Sequence, residues 1–314
     1  MVWLTYRQHR LELSGLLLAA AALAGALLIV VQLALAVRGE MGLDQCGPGP
    51  FTEGRRLGAF GRYSVRILPF TEFLGTLFLF PALVAAFIGG PLLAREFERG
   101  THRLAWTQGI TREQWTLRKV GLVVAVAALA GLIIAAVGDE GRRLMTGRGG
   151  SPFSAFDFTF PAIVAYMVFA IALGAAMGAL TRRSVDAVFV SLIGFVATRA
   201  LVETRLRPYF QPPIASVRGT TPEDAWNLGI HYLSTNGTEV PAARVDDLIH
   251  KFGPTILHEY GDINAYFGAN DVFAAQFYQP ANRYWLFQSI ETAIFLGLSL
   301  ALVLLTIWLV RRLA

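Results

Sequence analysis

Apolar and polar positions in this chain alternate in blocks. Long runs of Leu, Ala, Val, Ile and Phe are separated by short charged or glycine-rich stretches. The runs lie at about Leu13–Val37, Glu72–Leu93, Val120–Val137, Phe158–Leu180, Val185–Val202 and Trp285–Val310. About 20 apolar residues are what a helix needs to cross the hydrocarbon core of a bilayer. The pattern predicts an all-α polytopic membrane protein with six transmembrane helices. Met1–Glu12 mixes Trp3, Leu4 and Tyr6 with Arg7, His9 and Arg10, and reads as an amphipathic lead-in lying in the interface. The first run is too long for the apolar part of a cleavable signal and reads as a retained anchor. In the second run, Pro81 and Gly89-Gly90-Pro91 predict a kink. In the fourth, Gly174-x-x-x-Gly178 permits close helix approach, within one subunit or across a dimer seam.

Between the second and third runs lies the most charged short segment, Ala94–Val120. Arg95, Arg99, Arg103, Arg112, Arg118 and Lys119 are interleaved there with Glu96, Glu98, Glu113, Trp106 and Trp115. Gly100 is placed to stop one helix, Thr101 to cap the next, and Gly109 to interrupt again. Thr111 and Gln114 then form a T-x-x-Q capping box that opens the following helix. The segment reads as a helical elbow against a membrane face. It is suited either to dock a partner or to lie on headgroups with Arg112 and Lys119 as snorkelling anchors. The three glutamates favour docking, because a binder of anionic headgroups gains nothing from acids.

Composition agrees with the pattern. The 314 residues are 54% hydrophobic and only 16% charged, against about 25% charged in a typical soluble domain. The formal charge of +5 is no sign of nucleic-acid binding, since the basic residues sit at membrane edges. Placing the elbow inside puts about 12 cations in roughly 47 inner residues and about 14 in roughly 136 outer ones. That asymmetry predicts both termini and the elbow on the cytoplasmic side of the cell membrane. Residues 1–203 then hold five spans with the loop 94–119, residues 204–284 a small extracytoplasmic domain, and residues 285–314 the sixth span and tail. Gly138–Asp157 reads as a glycine-rich outer loop. In the outer domain, Thr221–Trp226 (TPEDAW) resembles a capped helix start with Pro222 in its first turn, and Pro241–Phe252 a second helix. Arg283, Tyr284 and Trp285 read as an aromatic belt opening the last span.

Candidate chemistry is sparse. Gln32, Arg199, Glu203 and Glu291 are the polar side chains in or near the spans, and an intramembrane charge is a functional candidate. Arg199 and Glu203 stand one helical turn apart, so their pairing near the outer surface is the favoured reading. Glu291 is placed either to face a dimer cleft or to pair with Arg199. His231, His250, His258 and Glu259 match no standard metal-ligand spacing and read as surface or core residues. Asn236-Gly237 reads as a turn. Cys46 is the only cysteine, so no intrachain disulfide is possible. No convergent cluster of catalytic side chains appears in the spans, and no metal site or catalytic residue is expected. The sequence lacks the G-x-x-x-x-G-K-S/T phosphate loop, so ATP would have to be bound by another chain.

The residues Gly90-Pro91-Leu92-Leu93-Ala94-Arg95-Glu96-Phe97-Glu98-Arg99-Gly100-Thr101, then Thr107–Arg112 and Arg118-Lys119, resemble the cytoplasmic loop of type-2 ATP-binding-cassette exporter permeases. WLTYRQHR near the start, the elbow itself and QPANRYWLFQSIE near the end resemble an actinobacterial branch of that group. The resemblance implies six spans, a permease dimer (a homodimer here), and two copies of a separate cytoplasmic ATPase that binds ATP and Mg. It implies that Glu96, Glu98, Gly100, Thr101, Arg103, Trp106 and Arg112 belong to a coupling helix docked on that ATPase. Outward movement of a lipid-like, drug-like or other amphipathic substrate would follow. The long segment between the last two spans departs from the pattern of many members. A membrane-anchored receptor or scaffold that binds a ligand through that segment is the alternative.

Overall fold

The computed structural model describes residues 2–40, 79–101, 109, 111–146, 150–217, 221–222, 224–252, 259 and 262–312. Within them, six helical segments are long and apolar enough to cross a membrane: His9–Glu40, Phe80–Arg99, Arg112–Leu144, Pro152–Thr181, Ser184–Tyr209 and Ala281–Arg311. The protein is a multi-pass, mostly helical membrane protein with one small sheet.

Helix α1 (Val2–Glu40) runs without a break through the predicted lead-in, so Met1–Glu12 is not a separate interfacial helix. None of these residues interrupts the i to i−4 ladder, and the segment continues the span that follows. Span two comprises α2 (Phe80–Val84), a π turn (Ala85–Gly89) and α3 (Gly90–Arg99). The predicted kink is therefore a π turn directly before Gly90-Pro91. Pro91 has no N–H to donate, and a widened turn relieves the lost bond. Helix α4 (Arg112–Thr146) outlasts the predicted third span by two turns. The expected loop Gly138–Asp157 is thus helix at its start and a 3-10 segment (Pro152–Phe158) at its end.

Helix α5 (Ala162–Thr181) is the centre of the bundle, and most of its residues are buried. Helix α9 (Tyr284–Arg311), α4, span two and α6 (Ser184–Leu201) pack around it, while α1 packs along α4. The seam between spans two and four is made of glycine. A Cβ on Gly174 would strike Gly89 and Gly90, and one on Gly178 would lie 2.5 Å from the Gly90 carbonyl oxygen. The Gly174/Gly178 pair therefore packs within the subunit.

Helix α6 does not end at Val202. It continues as a π turn (Val202–Leu206) and a 3-10 turn (Arg207–Tyr209), stopping where Pro208 forbids further helix. Beyond it stands a small domain with a three-stranded antiparallel sheet. Its strands are β1 (Ile214–Val217), β2 (Trp226–Leu233) and β3 (Phe273–Gln279), in the order β1-β3-β2. Trp226 opens a strand, so the helix expected from TPEDAW is absent. Residues 227–233 pair along β3, with a register shift between Asn227 and Gly229, and tertiary pairing overrides a segment in which only Ile230 and Tyr232 favour a strand. The second predicted helix is present as α7 (Ala242–Lys251). With α8 (Ile263–Ala269) it buries Val245, Leu248, Tyr266, Phe267 and Val272 in a core of its own. The Asn236-Gly237 turn forms, with Gly237 at φ 81° and Asn236 Oδ1 accepting from Thr238 N at 3.0 Å.

Candidate functional site

The elbow is built from the ends of α3 and α4. Helix α3 stops at Gly100, whose φ of 70° is left-handed and whose N–H reaches Phe97 O at 3.3 Å. Gly109 also has positive φ, 75°. Thr111 Oγ1 accepts from Gln114 N at 3.2 Å, the hydroxyl half of the predicted capping box. Thr101 and Gly109 are exposed. Arg103 and Trp106 lie outside the described residues, as do His258 and Cys46.

The elbow acids face the bundle. Glu96 forms an ion pair with Lys119, which is only 3% exposed. Lys119 Nζ lies 5.6 Å from the Trp115 ring, and Trp115 meets Phe97 edge to face. Glu98 accepts from Ser184 Oγ at 2.6 Å and from Ser184 N at 3.2 Å. Arg95 is ion-paired to Glu12 of α1. Glu113 is paired to Arg311 at the end of α9, and Arg112 donates to Arg311 O at 3.2 Å. The elbow is thus fastened to spans one, three and five, and its second limb to span six. The acids fasten the elbow to its own subunit. Lys119 is a buried member of a pair and does not snorkel. These contacts also put the start of α1, the end of α9 and the elbow at one end of the bundle.

At the opposite end the intramembrane charges converge. Glu291, fully buried, accepts from Arg199 Nη1 at 3.1 Å, Tyr166 OH at 2.6 Å, and Arg207 Nε and Nη2 at 2.7 and 2.8 Å. Asp157 bridges the same two arginines, at 2.7 Å from Arg207 Nη2 and in an ion pair with Arg199. Arg199 lies over the Tyr166 ring and Arg207 over Phe156. Two guanidinium groups face two carboxylates, so the buried charge is compensated, as burial in hydrocarbon demands. The expected Arg199–Glu203 pair is present, as the longest of the three carboxylate contacts Arg199 makes. Glu203 stands 3.6 Å from Arg199 and 41% exposed at the rim, while Glu291 and Asp157 are the close partners. Glu291 pairs with Arg199 inside the subunit.

Asp157, Tyr166 and Arg207 escaped the sequence reading. Arg207 was detectable: Arg199, Glu203 and Arg207 follow each other at four-residue steps, one stripe of a helix that continues past Val202. Asp157 carried no such signal, because only the fold brings its 3-10 segment to span five. Beside the charges, Gln288 donates to Phe156 O and Thr159 Oγ1 and accepts from Ala162 N, capping α5 from another helix. Tyr284 is buried in this layer, so of the expected aromatic belt only Trp285 is exposed. Gln32 is exposed on α1.

This cluster joins spans four, five and six at the end of the bundle opposite the elbow. In the small sheet domain, His231 Nδ1 lies 2.8 Å from Glu239.

A family model described as "ABC-2 membrane transporter related" matches residues 17–207, from α1 through the end of span five. No curated protein and no solved structure matches the chain.

Proposed function

We propose, from the premise that this chain belongs to the ABC-2 membrane transporter related family, that it is the permease subunit of an ATP-driven exporter. A separate cytoplasmic ATPase, in two copies, binds ATP and Mg and docks on the elbow of each of two identical permease chains. The elbow and both chain ends lie in the cytoplasm, and the outer domain on the far side of the cell membrane. The substrate class is lipid-like, drug-like or otherwise amphipathic, in keeping with an apolar path.

The observation that carries this reading is the fastening of the elbow. Arg95, Glu96 and Glu98 bond to spans one, three and five, and Glu113 to span six. A push on such a loop reaches four spans at once, which a headgroup anchor has no use for. Phe97 against Trp115 keeps the two limbs from sliding apart.

Substitution of Glu96 tests the fold more than the dock, because it strands a buried Lys119. The informative variants are Arg99→Glu, which is exposed, and Trp106→Ala, which the docking reading assigns to the coupling helix. Co-purification with the ATPase in lipid nanodiscs is expected to fall at least about tenfold for either, the loss of one interface hot spot. Wild-type retention by both would remove the elbow as the docking site.

A further inference from the structure

Span five, Ser184–Tyr209, is 26 residues long, about 39 Å as a helix. It is held differently at its ends than in its middle. At the inner end Glu98 of α3 accepts from both the backbone N–H and the hydroxyl of Ser184. The first N–H groups of a helix have no partner within it, and a carboxylate there also meets the positive end of the helix dipole. Glu98 therefore caps span five from the elbow. One turn on, the α3 backbone lies against Ala187, since a Cβ on Gly90 would sit 3.1 Å from the Ala187 carbonyl. In between, Val185, Phe189, Val190 and Ile193 are exposed, and only Ala187, Ser191 and Phe195 among residues 187–198 are buried.

At the outer end Arg199 and Arg207 are clamped by Asp157 and Glu291. The outer domain is mounted on this same end. Gln279, fully buried at the end of β3, donates to Pro208 O at 2.9 Å and Gln211 O at 2.8 Å. Arg283 donates to Pro212 O at 2.8 Å. Trp226 of β2 stacks on Phe153 at 5.2 Å, on the 3-10 segment that supplies Asp157. Strand β1 begins five residues after Tyr209.

We propose that span five is the rod through which displacement of the elbow reaches the outer domain, with Glu98 positioning its inner end and Arg199 and Arg207 its outer end. The proposal rests on the reading of the elbow as the ATPase dock. A helix gripped by polar contacts at both ends, and packed between them along one stripe (Ala187, Ser191 and Phe195), transmits a shift along its axis. Breaking the outer grip would strand a charge in hydrocarbon, so the outer domain moves with the rod and does not part from it.

Amide hydrogen exchange on the full chain in nanodiscs tests the rod without the ATPase. Glu98→Gln removes the charge from the inner clamp. Exchange is expected to quicken about fivefold, the loss typical of a helix cap, in 184–187 and also in 207–217 and β3. It should stay as in wild type in α1. In the double variant with Arg183→Asp, which supplies a cap from within the helix, 184–187 should recover while 207–217 and β3 stay fast. Three results overturn the rod: quickening confined to 184–187, quickening throughout the chain, or full recovery of the outer segments in the double variant. ATPase association is measured on the same wild-type sample. Its absence would remove the exporter reading and leave the exchange result to stand by itself.

Discussion

Arg199 and Glu291 stand 92 residues apart in the chain and 3.1 Å apart in space, both buried where spans five and six meet. The arginine sits in the last turn of α6 and the glutamate two turns into α9. Neither is tolerable there alone. With Arg207 and Asp157 they form a compensated group that holds three spans together, so their removal has calculable consequences.

Glu291→Leu leaves Arg199 and Arg207 facing Asp157, with Glu203 only at the exposed rim. Removing one member of a buried ionic group typically costs about 3–5 kcal/mol. Thermal unfolding in detergent is expected to show a drop of that order, and Glu203→Leu, on the exposed rim, a change within about 1 kcal/mol. Equal effects at the two positions would mean that the group is not the fastening described.

Lys119 and Glu96 make a second buried pair. Lys119→Met alone should destabilise clearly, because it leaves a half-buried carboxylate without its cation. Lys119→Met together with Glu96→Met should recover most of the loss, since apolar replacement of a whole buried pair is often neutral. A double-mutant cycle reads the difference directly.

The glycine seam separates two kinds of glycine. Gly174→Ala drives a methyl group into the Gly89–Gly90 backbone and is expected to cost about 1–3 kcal/mol, the usual range for overpacking. Gly25→Ala on α1 meets open space, and should stabilise by up to about 1 kcal/mol through helix propensity. Ranking both variants by melting temperature checks the seam.

In the small sheet domain, Asp271 accepts from the Thr235 hydroxyl and from Thr235 N at 2.8 Å. These bonds, the hydroxyl first, lower its pKa below the ordinary carboxylate value. A lowered folded-state pKa contributes stability that is present above the unfolded value, about 3.9, and is lost as pH falls through the folded value. Exchange at Thr235 should therefore stay slow down to about pH 4 and quicken below it. Asp271→Asn, which accepts the left-handed φ of 58° found there, should abolish that acid dependence.

Much of this architecture was legible in the chain. Apolar run lengths fixed the six spans, because a bilayer imposes one length on every crossing helix. Gly100 and Thr111 marked the elbow's breaks, because their signals are local: a left-handed residue without Cβ, and a hydroxyl three residues ahead of a free N–H. The Pro241–Phe252 helix was legible for the same reason. Helix ends were less so. The continuations of α4 to Thr146 and of span five to Tyr209 are polar, and a run of apolar residues ends before the helix does.

What the sequence by itself determined is therefore a multi-pass helical protein with a charged elbow between its second and third spans. The tertiary structure alone decided how the charges are used. Glu96 turns to Lys119, and the exposed Glu98 bonds to the N-terminus of span five, because those partners lie within reach. Asp157 joins Arg199 because a 3-10 segment folds over the bundle. Trp226 became a strand residue because β3, some fifty positions later, offered it a hydrogen-bonding edge. Pairing across such distances depends on which surfaces meet, and no local pattern of residues encodes it.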